Sequence, residues 1–349
     1  MIIVTREGIT EEELDHIRER VEAMGLRTHV SRGEHRTVIG CVGDEGRLLH
    51  VPLTSIPGVE TVHEVMKPYK LAAREFSADP TRVTVGKMDF GGTELGVIAG
   101  PCTVEGSDML RETASRVGAA GARALRGGAF KPRTSPYSFR GLGEEGLRIL
   151  AQVREDTGMP VVTEVMDTRQ VELVASYADV LQVGARNMQN FALLSEVGRL
   201  RRPVLLKRGM SSTVKDFLLA AEYVMSQGNP NVILCVRGIR TFETATRNTF
   251  DLDAIPVLKQ ETHLPVIADP SHAAGRRPLV APLAYAAVAA GADGLMIEVH
   301  PDPECATSDG EQSLDLNEFD ALMAALRPFA SAAGRTLPAP SEAVASMSV

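Results

Sequence analysis

The chain is poor in cysteine, with four among its 349 residues: Cys41, Cys102, Cys235 and Cys305. Thiols so few and so widely spaced exclude the disulfide framework of a small secreted domain. Any apolar run near the roughly 18–20 residues that span a bilayer is also missing. The first residues, MIIVTREGITEEELDH, turn acidic at once and lack the charged-then-apolar layout of a signal peptide. Positive charge is not in excess: the formal net charge is −8, which argues against a nucleic-acid or anionic-membrane surface. It leaves an anionic substrate open, because a local arginine cluster binds phosphate inside an acidic protein. These absences predict a cytoplasmic globular protein that engages neither membrane nor nucleic acid.

Hydrophobic residues make up 44% and charged residues 23%, an ordinary globular balance. The length exceeds the usual single domain, so one large domain and one small one are expected. Residues 1–66 have the pattern of the small one. Met1–Thr5 is a short apolar strand, and Glu11–Met24 carries Leu14, Ile17, Val21 and Met24 on one helical face. Arg27–Ser31 and Thr37–Val42 alternate as strands. A weaker helix near Arg47–Thr54 and a strand at Val59–Val65 complete a β-α-β-β-α-β order, that of a ferredoxin-like sandwich. Residues 67–92 form a polar connector with a hairpin candidate at Val83–Phe90.

From residue 93 the pattern repeats: apolar strand, loop, amphipathic helix. The strands are Leu95–Ala99, Ala122–Arg126, Pro160–Val165, Asp179–Val183, Pro203–Lys207, Asn231–Val236, Leu264–Asp269 and Gly294–Glu298, with helices such as Ser107–Ala120, Thr213–Gln227 and Pro278–Ala290 between them. Gly121 and Gly291 are placed to stop helices. Eight continuous apolar strands alternating with helices predict an α/β fold, a closed (β/α)8 TIM barrel over 93–333. The last helix, Leu316–Ala333, puts Phe319, Leu322, Met323, Leu326 and Phe329 on one stripe. Residues 334–349 are rich in Ala, Ser and Pro and predict a disordered tail.

In such barrels the chemistry sits at the C-terminal ends of the strands. Two groups of polar residues occupy those places. Cys102, His272, Glu298 and Asp309 offer one thiolate, one imidazole and two carboxylates, a mixed set that suits a transition ion better than Mg²⁺ or Ca²⁺. Singly, a strand-end Cys or His is more often inert core; convergence at one mouth makes the set a metal candidate. Arg126, Lys131, Arg133, Arg186, Lys207 and Arg237 form the second group. So many cations would repel one another without anions between them, which predicts a substrate pair with at least two phosphates.

The stretches Ala-Gly-Pro-Cys-Thr-Val-Glu, Gly-Gly-Ala-Phe-Lys-Pro-Arg-Thr-Ser-Pro-Tyr-Ser-Phe, Gly-Ala-Arg-Asn-Met-Gln-Asn, Leu-Lys-Arg-Gly, Asp-Pro-Ser-His and Glu-Val-His-Pro-Asp-Pro-Glu resemble the 3-deoxy-D-arabino-heptulosonate 7-phosphate (DAHP) synthases. The resemblance covers about Met1 to Ala333 and includes the subgroup with a ferredoxin-like extension. It implies condensation of phosphoenolpyruvate with erythrose 4-phosphate, the first step of the shikimate pathway to aromatic amino acids. It places one divalent metal, Mn²⁺ first and Fe²⁺, Co²⁺ or Zn²⁺ as alternatives, on Cys102, His272, Glu298 and Asp309. Phosphoenolpyruvate would meet Arg126, Lys131, Ala185, Arg186, Lys207 and Arg237. Erythrose 4-phosphate would meet Lys131, Pro132, Arg133 and Thr134. Lys131 would donate a proton, and Glu164 would position the attacking water. The resemblance further implies a homotetramer whose N-terminal domain senses tyrosine or phenylalanine, and leaves association with a chorismate mutase open.

Three alternatives stand beside this reading. A 3-deoxy-manno-octulosonate 8-phosphate synthase would use arabinose 5-phosphate; its loop typically begins Lys-Ala-Asn-Arg, where this chain has Lys131-Pro132-Arg133-Thr134. A Schiff-base aldolase would use Lys207 or Lys131 as nucleophile. A non-catalytic protein that binds aromatic amino acids would have let the barrel-mouth residues decay. One departure from the family is Ala273-Ala274-Gly275 in place of Gly-Thr-Gly after the histidine. Cys305, near Asp309, is a candidate for oxidative pairing with Cys102 against the simpler reading of a tolerated loop residue.

Overall fold

The structure, a computed structural model, describes every residue except 34–35, 44–47, 49–50, 64–66, 132–136, 138 and 340–349. Two units emerge, Met1–Thr81 with Gln260–His263, and Arg82–Lys259 with Leu264–Val349.

In the first unit, β1 (Ile2–Thr5), β2 (Arg27–Arg32), β3 (Thr37–Val42) and β4 (Val59–His63) form an antiparallel sheet in the order β2-β3-β1-β4, with α1 (Glu11–Glu22) following β1. The helix starts where it does because Thr10 and Glu13 cap each other reciprocally. Its predicted stripe of Leu14, Ile17 and Val21 is buried with Ile3 and Ile39 from the sheet. This is the ferredoxin-like layout. Of the stretch Arg47–Thr54 where a helix is expected, the described residues show a 3-10 turn at Leu53–Ser55. Residues 44–47 and 49–50 of that stretch lie outside the described residues, as do 64–66 after β4.

The second unit begins with a hairpin, β5 (Val83–Val85) and β6 (Met88–Phe90). Then come β7 (Gly96–Gly100), α2 (Ser107–Ala120), β8 (Ala124–Arg126), α3 (Glu144–Thr157), β9 (Val161–Glu164), α4 (Val171–Tyr177), β10 (Val180–Val183), α5 (Phe191–Arg199) and β11 (Val204–Lys207). The chain continues with α6 (Val214–Met225), β12 (Val232–Val236), α7 (Ala254–Glu261), β13 (Val266–Ala268), α8 (Pro270–Ala274), α9 (Val280–Ala289), β14 (Gly294–Glu298) and α10 (Leu316–Ala332). Strands β7 to β14 are parallel and close into a barrel, the TIM architecture.

Every residue of these strands is buried, because the barrel interior covers one face and the helices the other. The interior is filled by Ile98, Ala124, Val162, Val180, Leu205, Ile233, Cys235, Ile267 and Met296, to which the hairpin adds Val83, Val85, Met88 and Phe90. Gly96, at the start of β7, makes room for this stopper: a Cβ there would lie 2.4 Å from the Phe90 ring. The N-terminal end of the barrel is thereby packed, and the polar residues gather at the other end.

Two details differ from the sequence expectation. Phe329 is half-exposed and stacks on Tyr285 at 4.7 Å, because the apolar stripe of α10 runs from Leu326 to Ala330, four residues on, and leaves Phe329 at its edge. The chain also stays attached to the barrel beyond Gly334. Arg335 pairs with buried Asp293 and donates to Gly92 O at 3.0 Å, while the Thr336 N–H and C=O bond Thr93 and Leu95. Composition alone hid this, because the Thr336 pairing needs no particular side chain and the Arg335 partners lie far away in sequence. No helix among the described residues is long and apolar enough to cross a membrane.

Replacing Phe90 with Ala should lower the urea midpoint of the full chain by the equivalent of about 3–5 kcal/mol, the usual cost of emptying a buried aromatic site. An unchanged midpoint would show that the hairpin does not support the barrel core.

Candidate metal and anion site

β7 delivers Cys102 to the barrel mouth through a backbone turn that Gly100 permits, with φ +147° and no room for a Cβ, which would fall 2.2 Å from Arg126 O. The buried Cys102 thiol donates to Asp309 Oδ2 at 3.0 Å and accepts from Lys131 Nζ at 2.9 Å. Cys102, Glu298 and Asp309 each bring one potential ligand atom within 4.8 Å of the others. His272 stands beside this trio, with Nε2 3.4 Å from Glu298 Oε1. It sits in α8, which Asp269 caps by accepting the His272 N–H at 2.8 Å. The other Asp269 oxygen lies 2.8 Å from His272 Nδ1, off the hydrogen-bond axis, and also takes the Lys207 ammonium.

Charges here are taken out of water and must answer one another. Burial opposes ionisation of Asp269, yet His272, Lys207 and Arg126 together hold its carboxyl well below the usual range. Burial pulls the His272 imidazole down, toward the neutral form that ligates metals. The Cys102 thiol is pushed up to about 12, first by burial and then by the Glu298 charge. Burial works against the Asp309 carboxylate too, but the surrounding positive groups and the Cys102 thiol keep it below its ordinary value. Cys305 is exposed, next to Asp302, which raises its thiol, and neither it nor Cys102 is in a disulfide.

Around this cluster lie the cations. Arg126, 4% exposed at the end of β8, places Nη2 3.1 Å from Glu298 Oε1, while its Nε and Nη1 are buried with no hydrogen-bond partner. Arg237, nearly as buried, donates to His272 O at 3.0 Å. Arg186 is exposed in a 3-10 turn of Ala185–Asn187. Lys131 folds back over Gly128, where a Cβ would lie 2.6 Å from Lys131 Cε. Pro132, Arg133 and Thr134 fall outside the described residues. Glu164 is buried at the end of β9, and Gly184 leaves it space: a Cβ there would sit 2.0 Å from Glu164 Oε1.

The residues present fit a divalent ion. Cys102, Glu298 and Asp309 supply sulfur and oxygen donors at one place with the His272 ring beside Glu298, and Glu298 Oε1 is buried without a hydrogen-bonded donor. The Asp269 carboxylate stands 2.8 Å from His272 Nδ1, the side on which metal-binding histidines are commonly supported by a carboxylate. The departure at Ala273-Ala274-Gly275 leaves the support intact. Both alanines are buried within α8, and Gly275 ends it at φ +67° against the Arg247 side chain.

Sequence reasoning overlooked several participants. Gln182 is buried in β10, donates to Glu164 Oε2 at 3.4 Å and lines a narrow cleft with Arg126, Lys131 and Glu164; its signal was one polar residue in an otherwise apolar strand. Gln312 donates to Glu298, and Arg247 reaches both Gln312 (3.2 Å) and Asp309 (3.3 Å). Asp309 has a positive φ of 54°, alone among described residues other than glycine, a backbone state costing an L-residue about 1 kcal/mol. Neither loop register nor this strain is visible in a sequence.

Comparisons with known proteins agree on one family. Residues 75–332 match the model of the DAHP synthetase I family, and residues 1–67 that of the DAHP synthase ferredoxin-like domain. The chain is 50% identical over 334 residues to the phospho-2-dehydro-3-deoxyheptonate aldolase of Thermotoga maritima, covering 96% of this chain and 99% of that protein. The crystal structure of the Thermotoga maritima DAHP synthase superposes with a TM-score of 0.77 at 49% identity over 96% of this chain and 98% of that one. A 2-dehydro-3-deoxyphosphooctonate aldolase from Bradyrhizobium diazoefficiens is 35% identical over 272 residues, 72% of this chain and 95% of its own.

Replacing Asp269 with Asn should strip Lys207 of its counter-charge and His272 of its neighbouring carboxylate. The expected loss is about 3–5 kcal/mol, typical when one partner of a buried ion pair is removed, read from urea unfolding. A variant as stable as the wild type would show that the web is not a structural support.

Proposed function

Because this chain belongs to the DAHP synthetase I family, we propose that it condenses phosphoenolpyruvate with erythrose 4-phosphate to give DAHP and phosphate. The observation that carries the reading is Arg126, a guanidinium nearly sealed from water with two N–H-bearing nitrogens unpartnered. Unmet charged donors are costly in such a place, and an anionic oxygen aimed at them removes the cost. Lys131, Arg186, Lys207 and Arg237, with the backbone at Ala185, would complete the seat for phosphoenolpyruvate. Lys131, Pro132, Arg133 and Thr134 would hold erythrose 4-phosphate.

In this reading C3 of phosphoenolpyruvate bonds to the aldehyde carbon, water adds at C2, and phosphate leaves by C–O cleavage. The arginines and lysines hold two mutually repelling anions within attack range, which removes most of the entropic cost of their meeting. Lys131 Nζ, already at the cluster through Cys102, would give its proton to the aldehyde oxygen as charge grows there. Glu164, buried and braced by Gln182, would orient the water. Cys102, His272, Glu298 and Asp309 would hold a divalent ion, Mn²⁺ in our reading, with Fe²⁺, Co²⁺ and Zn²⁺ as alternatives. When bound, the ion supplies Lewis acidity toward the aldehyde oxygen.

The octulosonate reading keeps one observation in its favour, the likeness to proteins of that name over about 70% of the chain. The acceptor decides between the two. Phosphoenolpyruvate consumption should require erythrose 4-phosphate and Mn²⁺, stop with EDTA, and be absent from Cys102→Ala at any Mn²⁺ level. Turnover with arabinose 5-phosphate instead would move the protein to the octulosonate group, and undiminished activity of chelated Cys102→Ala would overturn the ligand set.

We assign the N-terminal domain to feedback by tyrosine or phenylalanine within a homotetramer. What supports this is the match of residues 1–67 to the DAHP synthase ferredoxin-like domain. Removing residues 1–66 should abolish inhibition by these amino acids while leaving condensation measurable; inhibition surviving the deletion would refute the assignment.

A further inference from the structure

The loops after β7 and β14 carry Cys102 on one side and Asp309 on the other, and three side-chain contacts beyond the ligands bind the loops together. Thr103 Oγ1 hydrogen-bonds Ser308 Oγ, both buried. Glu105 Oε1 accepts from the Thr307 N–H at 2.9 Å and the Thr307 hydroxyl at 2.8 Å. Its other oxygen, Oε2, lies 3.6 Å from Nε2 of His300, an atom buried without a hydrogen-bonded partner. The same ring accepts the Asp302 N–H on Nδ1 at 3.0 Å. That hydrogen bond selects the tautomer with its proton on Nε2, toward Glu105. His300 is in turn fixed by its own N–H to Leu314 O at 2.9 Å.

The arithmetic of position matters. His300 follows Glu298 by two residues, Thr307 precedes Asp309 by two, and Glu105 follows Cys102 by three. A single carboxylate thus meets the loop after β14 at both ends of the segment between two candidate ligands, from beside a third. Asp309 itself stands in the left-handed region, a conformation that persists only where its surroundings fix it.

We propose that Glu105 is a positioning residue for the metal centre, clamping the loop after β14 to the loop after β7 so that Cys102, Glu298 and Asp309 keep ligand spacing. It touches none of the ligand atoms. Its effect passes through Thr307 and His300, as hydrogen-bonded neighbours of ligands tune metal sites generally. The inference rests on the reading that these residues hold a divalent ion.

The test uses the full chain, freed of metal and titrated with Mn²⁺ alone, free Mn²⁺ being counted by its EPR signal. Glu105→Ala should bind Mn²⁺ roughly 10–100-fold more weakly than the wild type. Glu105→Gln keeps one oxygen for Thr307 and should recover part of that loss. Phosphoenolpyruvate affinity, measured by calorimetry on the metal-free proteins, should stay within about twofold, since Glu105 bonds Thr307 and faces His300 and does not line the cleft of Arg126 and Lys131. Thr307→Val, a mild change at an exposed position, should weaken Mn²⁺ binding several-fold in the wild-type background and hardly further in Glu105→Ala. Mn²⁺ affinity within about twofold of wild type in Glu105→Ala would overturn the proposal. So would equal losses in the Ala and Gln variants accompanied by lost phosphoenolpyruvate binding, the mark of general damage. A wild type that binds no Mn²⁺ would overturn the metal reading itself and this inference with it, an outcome the variants alone cannot produce.

Discussion

The Asp269 carboxylate is the charge on which the barrel mouth depends. It is fully buried, caps α8, and faces both the Lys207 ammonium and the His272 ring. From His272 the chain of charges passes to Glu298, and from Glu298 to Arg126. A buried ion is tolerable only when opposite charge and hydrogen-bond donors surround it. Each member of this web therefore constrains the rotamers of the next. Strands β8, β11, β13 and β14 each contribute a member at or just beyond their C-terminal ends, so the web requires the closed barrel that sets those ends side by side.

Closure in turn depends on what fills the opposite end. The hairpin residues Val83, Val85, Met88 and Phe90 complete the apolar interior, and Gly96 is small because Phe90 occupies the space a side chain would need. Apolar packing and the charged web thus divide the barrel lengthwise. The interior face of each strand is apolar until its last residue or two, where Arg126, Glu164, Lys207 and Glu298 appear. A glycine in this region serves close approach more than flexibility: Gly184 admits the Glu164 carboxylate, and Gly100 admits the Arg126 carbonyl.

That division is why much was legible in the sequence. Strand position was marked by apolar runs, and a polar residue ending such a run had to lie at the mouth. Cys102, Arg126, Glu164, Lys207, His272 and Glu298 could be gathered without coordinates, and the family motifs then supplied roles. What stayed hidden is set by loop geometry. The left-handed backbone of Asp309, the reach of Arg247 from the long loop after β12, and the link from Gln312 to Glu298 arise from chain segments that meet only after folding. The attachment beyond Gly334 escaped for a related reason: Thr336 pairs through its backbone, which leaves no mark on composition, and the partners of the Arg335 guanidinium lie far away in sequence.

Arg126 and Lys131 belong to two sets at once. In this structure Arg126 pairs with Glu298 and Lys131 hydrogen-bonds the Cys102 thiol, yet the proposed chemistry asks both to hold anions. In the proposed reading, a divalent ion held by Cys102, His272, Glu298 and Asp309 would compete for the same sulfur and oxygen atoms, leaving Arg126 and Lys131 available to substrate. Anionic substrate bound to Arg126 and Lys131 would, in turn, leave those ligand atoms open to the ion. Coupling of this kind is reciprocal by thermodynamic necessity. A site dense in both signs is held together by its internal pairs, which would stand in for the metal and the phosphate of the proposed reading.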